Sequence, residues 1–149
     1  MNENERTDNW LFLAQELAQH DPAQLEKYAK NFDNEVWQSV GRILARYSPE
    51  YLENYADYFN EDAWHWIAVN LAKYNPEQIE KYAKNFDNEV WQRVGRILAR
   101  HNPSFLEKYA KHFLQDSWYH IGGVLLYYNP EYIEKLKQHM PAEIYNKYK

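Results

Sequence analysis

The chain has 149 residues, 45% of them hydrophobic and 26% charged, a balance that suits one folded domain with a buried core. It has no cysteine, which excludes disulfides, thiolate nucleophiles and cysteine-held zinc. Its formal net charge of −5 gives no bulk attraction for nucleic acid.

Residues 1–7 are polar and acidic, lack the apolar stretch of a signal peptide, and read as a disordered N-terminal tail. No apolar run approaches the roughly 18 residues that a membrane helix needs. The expectation is a cytoplasmic protein. Beyond the tail the chain becomes periodic. Pro22, Pro49, Pro76, Pro103 and Pro130 recur at intervals of 27 residues, and Trp10, Trp37, Trp64, Trp91 and Trp118 keep the same interval. Two markers in phase indicate stacked structural units.

Residues 8–21 supply a half repeat, a single helix from Trp10 through Leu17. The full repeats 22–48, 49–75, 76–102 and 103–129 each read as two helices. The first begins at the proline. Asp21, Ser48, Asn75, Asn102 and Asn129 stand before the prolines as N-caps, with proline at the first helical position. Leu25, Tyr28, Ala29 and Phe32 form its narrow apolar face. A polar break such as Asp33-Asn34 or Asn60-Glu61 caps the second helix. That helix carries Trp37, Val40, Gly41, Leu44 and Ala45, and its apolar arc covers about 200° of the wheel. The second helices therefore lie inside and the first helices outside. The small residue at one repeat position (Gly41, Ala68, Gly95, Gly122) predicts close helix approach, because glycine otherwise costs a helix about 1 kcal/mol. Residues 130–149 form a C-terminal cap, with a first-type helix, a stop at Pro141 and a last turn or two. Residues 22–48 and 76–102 agree at 22 of 27 positions, so a two-repeat module reads as duplicated.

These features describe an all-α fold, a right-handed α-solenoid of stacked helix-turn-helix repeats. Over nearly the whole chain it resembles the α-solenoid proteins in general, in the manner of HEAT and tetratricopeptide repeats. Its period of 27 residues is shorter than theirs, and neither signature is present. The resemblance implies a curved stack with a partner-binding concave surface.

Little in the chain carries chemistry. There is no glycine-rich phosphate loop and no His-Glu-x-x-His spacing, so no cofactor or metal is expected. His20 and His101 share a repeat position with Tyr47, Tyr74 and Tyr128, which suits a half-buried aromatic with a polar tip rather than a metal ligand. Glu26, Glu53, Glu80, Glu107 and Glu134 also recur at one position, and a recurring residue reads as architecture rather than catalysis. The expected protein is not an enzyme.

One face of the second helix stays outside the apolar arc. Along the chain it reads Glu35, Ser39, Arg42, Arg46; Asp62, Trp66, Val69, Lys73; Glu89, Arg93, Arg96, Arg100; and Asp116, His120, Gly123, Tyr127. From this stripe and its border come the candidate partner-binding residues Arg42, Arg46, His65, Trp66, Lys73, Arg93, Arg96, Arg100, His120 and Tyr127. Arginine and aromatic residues of this kind are enriched at interface hot spots. A plainer reading stands beside it. Acids at a helix start and bases at its end complement the helix dipole, and Glu89 with Arg93 forms an i, i+4 pair. The expected function is a non-enzymatic protein–protein interaction module, of the kind a stoichiometric inhibitor or immunity-type protein would be. The alternatives are a nucleic-acid-binding repeat protein using the arginine and aromatic strip, and a scaffold that self-associates. The expected partner is another protein, with no membrane role.

Overall fold

The computed structural model describes the backbone from residue 3 to residue 149 and the side chains from residue 9 onward. Among the described residues every regular element is helical, and no helix is long and apolar enough to cross a membrane. The chain divides into two compact halves, Met1–Asn75 and Pro76–Lys149. The first holds α1 (Glu3–His20), α2 (Leu25–Tyr28), α3 (Asn34–Tyr47) and α4 (Glu61–Tyr74), with α1 packed on α3 and α3 on α4. The second holds α5 (Ile79–Tyr82), α6 (Asn88–His101), α7 (Gln115–Tyr128), α8 (Glu131–Lys135) and α9 (Ala142–Tyr148). There α6 packs on α7, and α7 on both α8 and α9.

Helix α1 starts earlier than the sequence predicts. Its backbone is helical from Glu3, through residues assigned to a disordered tail, while Met1 and Asn2 lie outside the described residues. No proline or glycine interrupts residues 3–9, so once Ala14 and Ala18 are buried the helix propagates backward at little cost.

The first-type segments are not the regular α-helices expected. In the first full repeat the chain runs as a 3₁₀ turn (Pro22–Gln24), the short α2 and another 3₁₀ turn (Ala29–Asn31). In the next it is 3₁₀ throughout, over Pro49–Tyr51 and Glu53–Tyr58. The anchors explain this, because Leu52 and Tyr55, like Ala56 and Phe59, stand three apart, and a 3₁₀ helix places such residues directly above one another. The tighter winding also rises about 2.0 Å per residue instead of 1.5 Å. A segment of ten residues then reaches nearly as far as a helix of fourteen.

The residues before the prolines also act differently from the N-caps predicted. Asp21, Ser48 and Asn102 make no capping side-chain bond to the turn that follows. Asn75 instead donates through Nδ2 to the carbonyls of Ala45 and Arg46, at 2.8 and 3.0 Å, and so closes the C-terminus of α3. Asn129 does the same for α6, to Ala99 and Arg100 at 2.8 and 3.1 Å. An amide can donate to a carbonyl whereas the carboxylate of Asp21 cannot, so this bond is specific to asparagine. Tyrosine makes a second tie of this kind. The hydroxyl of Tyr55 donates to the Pro22 carbonyl at 2.8 Å, and that of Tyr109 to the Pro76 carbonyl at 2.6 Å.

The N-termini of α3, α4 and α6 follow expectation, and that of α7 does not. Asp33, Asn60 and Asp87 accept from the N–H groups of Val36, Ala63 and Val90, each at 2.9 Å. At the corresponding position before α7 stands Leu114, 54% exposed and unable to cap. Leu114→Asp is expected to stabilise the protein by about 1 kcal/mol, read as a rise in Tm of about 3 °C. An unchanged or lower Tm would mean that this N-terminus needs no cap.

The periodic tryptophans have a structural cause. Phe32, Phe59, Phe86 and Phe113 each meet the tryptophan five residues on edge to face, at ring distances of 5.3 to 5.5 Å. Each such pair contributes about 0.5–1.5 kcal/mol beyond the area it buries. The small-residue position also behaves as predicted. A methyl group on Gly41 would come within 2.8 Å of Ile67, and one on Gly122 within 2.6 Å of Ile144.

Candidate functional site

In the first half, α3 and α4 bring five of the predicted residues together. The Arg42 guanidinium lies over the Trp66 ring at 4.5 Å. Arg46 lies over Tyr74 at 4.5 Å and over Tyr47 at 4.9 Å. Lys73 approaches the same Tyr74 ring at 5.3 Å. His65 touches Trp66 edge-on at 5.7 Å, and both are half-buried. Beside them opens a cleft of ≈ 240 Å³ lined by Leu11, Gln15, Glu35, Gln38, Ser39 and Arg42. Gln15 closes one wall by donating to the Ser39 hydroxyl at 2.9 Å.

In the second half, Arg93, Arg96 and Arg100 occupy one exposed face of α6. Arg100 lies over Tyr128 at 4.6 Å, and Tyr127, 81% exposed, meets Tyr128 edge-on at 4.8 Å. Among the described residues Arg93 and Arg96 form no ion pair and lie on no ring. The predicted pairing of Glu89 with Arg93 is therefore not formed. Both side chains are exposed, where such a pair is worth only a few tenths of a kcal/mol and water competes for each charge. His120 is likewise exposed.

A second set of contacts escaped the sequence reading. Tyr58 stacks on Trp37 at 4.5 Å, His112 on Trp91 at 4.0 Å and His139 on Trp118 at 4.7 Å, all nearly parallel. The histidines also reach glutamates, His112 to Glu80 at 3.3 Å and His139 to Glu107 at 3.0 Å. Tyr58, His112 and His139 share one repeat position, and that coincidence was the available signal. Glu80 and Glu107 thus tie one repeat to the next within the second half. Partial desolvation works against the charge on Glu80, but hydrogen bonds from Lys111 and His112 outweigh it and hold the carboxyl below its ordinary range. A depressed carboxyl stabilises the fold above the ordinary glutamate range and loses that effect as pH falls through its own pKa. Because Glu80 is about half exposed, the effect is modest.

Among the described residues no three histidine, aspartate or glutamate side chains gather as a metal site. No protein-family model, curated protein or solved structure matches this chain, so its function is read from its own residues.

Proposed function

We propose that the chain is a right-handed α-solenoid of 27-residue repeats that works as a non-enzymatic protein-binding module, with the exposed stripe of its long helices lining the concave side. A cytoplasmic stoichiometric inhibitor or immunity-type protein is the narrower form of this reading. The observation that carries it is the Arg42 guanidinium laid on the Trp66 face at 4.5 Å. The ring contact restrains the guanidinium while its N–H groups remain donors for a carboxylate, so less side-chain entropy is lost on binding. Arg46 on Tyr74 repeats the arrangement one turn further on. Dipole complementarity alone would place a base near the helix end, but it would not require an aromatic platform beneath it.

The test is capture from source lysate on immobilised wild type, Trp66→Ala and Arg42→Glu, with half of each sample treated with nuclease. A protein captured by the wild type is expected to bind Trp66→Ala about 30-fold more weakly, the cost of losing a tryptophan hot spot. A captured protein held equally by all three would overturn the surface. Material lost on nuclease treatment would favour nucleic acid instead.

A further inference from the structure

The two halves carry near-copies of one repeat, and α3 therefore serves as an internal control for α6. Residues 22–48 and 76–102 agree at 22 of 27 positions, and on the exposed stripe the difference is Ser39 against Arg93. Around α3 the polar groups are engaged: Ser39 with Gln15, Arg42 with Trp66, Arg46 with Tyr74. Around α6 Arg100 is engaged in the same way, over Tyr128 at 4.6 Å, whereas among the described residues Arg93 and Arg96 form no ion pair and lie on no ring. His120 stands at the repeat position of Trp66 and Gly123 at that of Val69, and among the described residues no ring covers Arg96. Nothing lies within 4 Å of where a Gly123 side chain would begin, which leaves a notch one turn from the exposed ring of Tyr127.

The charge balance points the same way. The first half has 13 acids and 6 bases, a formal charge of −7, and the second has 9 acids and 11 bases, or +2, which together give the −5 of the chain. An acidic ligand is repelled by the first half and drawn to the second.

We infer that the α6–α7 face binds an acidic helical segment of another protein, with its carboxylates on Arg93, Arg96 and Arg100 and an apolar side chain over Gly123 beside Tyr127. This rests on the protein-binding reading above and names the chemistry of the partner. The three arginines stand at i, i+3 and i+7, so their Cα atoms rise by about 4.5 and 6 Å along the axis. A helix with carboxylates at the same spacing matches them, each guanidinium taking a carboxylate edge-on. A nucleic acid fits less well. Glu89 and Asp116 border the same face at the starts of α6 and α7, and a phosphodiester chain meets them with unrelieved negative charge. A protein segment can place a lysine or a neutral residue there.

Fluorescence anisotropy with the full chain tests this, using a labelled helical peptide with a glutamate at every turn of one face and leucines beside it. A scrambled peptide of equal composition and an oligothymidylate are the comparison probes. Wild type is expected to bind the patterned peptide. Arg93→Ser, which installs the residue of the near-identical repeat, weakens binding about tenfold, the loss of one charge-assisted pair. Arg96→Glu abolishes it, whereas Lys84→Glu, the same charge change on an outer segment, leaves it within about twofold. Failure of the patterned peptide to bind wild type overturns the proposal. So does equal binding of the scrambled peptide, or equal damage from Lys84→Glu, since either leaves bulk charge alone. Tighter, salt-steep binding of oligothymidylate assigns the face to nucleic acid, and a dimer lost in Arg96→Glu assigns it to a second copy. A lysate partner lost in Trp66→Ala but retained by Arg96→Glu leaves the protein-binding function standing and removes this site alone.

Discussion

Gly95→Ala is expected to destabilise the protein by about 1–2 kcal/mol, although alanine is the better helix former by about 1 kcal/mol. The new methyl group would stand 2.7 Å from Cδ1 and 2.9 Å from Cγ1 of Ile121, and 3.2 Å from the Phe113 ring. Neither neighbour can give way easily. Ile121 is fully buried, and Phe113 is held edge to face by Trp118 at 5.5 Å. Forcing a methyl group into packing of this density costs about 2–3 kcal/mol, which exceeds the gain in helix propensity. Gly123 supplies the contrast. It lies in the same helix as Gly122 with open space where its side chain would begin, so Gly123→Ala gains up to about 1 kcal/mol. Urea titration of the two variants decides the matter. If both stabilise, close packing is not what keeps glycine at position 95.

Tyr109→Phe is expected to cost about 1–3 kcal/mol at neutral pH and to flatten the stability profile at alkaline pH. The lost hydroxyl donates to the Pro76 carbonyl at 2.6 Å in a buried setting, so the substitution removes a hydrogen bond that water cannot replace. In the wild type, burial first of all, with the charges of Glu80 and Glu77 adding to it, pushes the Tyr109 phenol up to about 12 against a smaller opposing backbone contact of Glu80. The folded state thus keeps its proton over a range in which the unfolded chain has lost it. A raised pKa contributes stability that is fully present below the ordinary tyrosine value of about 10 and is lost as pH rises toward 12. Unfolding free energies from denaturant titrations across that window should fall by about 2–3 kcal/mol in the wild type and by distinctly less in Tyr109→Phe. Equal slopes would mean that another group governs the alkaline limit. Tyr55, raised for the same reason and bonded to Pro22 at 2.8 Å, adds a smaller effect in the first half.

The positions of the long helices were legible from short-range rules. Asp33, Asn60 and Asp87 are polar residues ahead of an apolar arc, and each caps the helix that the arc defines. Gly41 and Gly95 announced close packing because their helix cost requires a compensating contact, and Ile67 and Ile121 provide it. The candidate site was legible as a list of exposed residues, and its internal order was not. Repeat position alone does not tell that Arg42 rests on a ring while its counterpart Arg96 does not. The distinction depends on what the following helix carries, Trp66 in one case and His120 in the other.

By itself the sequence determined the buried face of the long helices and where α3, α4 and α6 begin, since both follow from residue type and spacing within a few turns. Tertiary structure decided whatever depends on groups far apart in the chain. The Asn75 amide caps carbonyls 29 and 30 residues away, not the turn it precedes. His112 finds Glu80 across 32 residues, and the first-type segments wind partly as 3₁₀ helix. Periodicity reports how often a side chain returns to the interior, whereas the partner it meets there is set by the packing of one repeat upon the next.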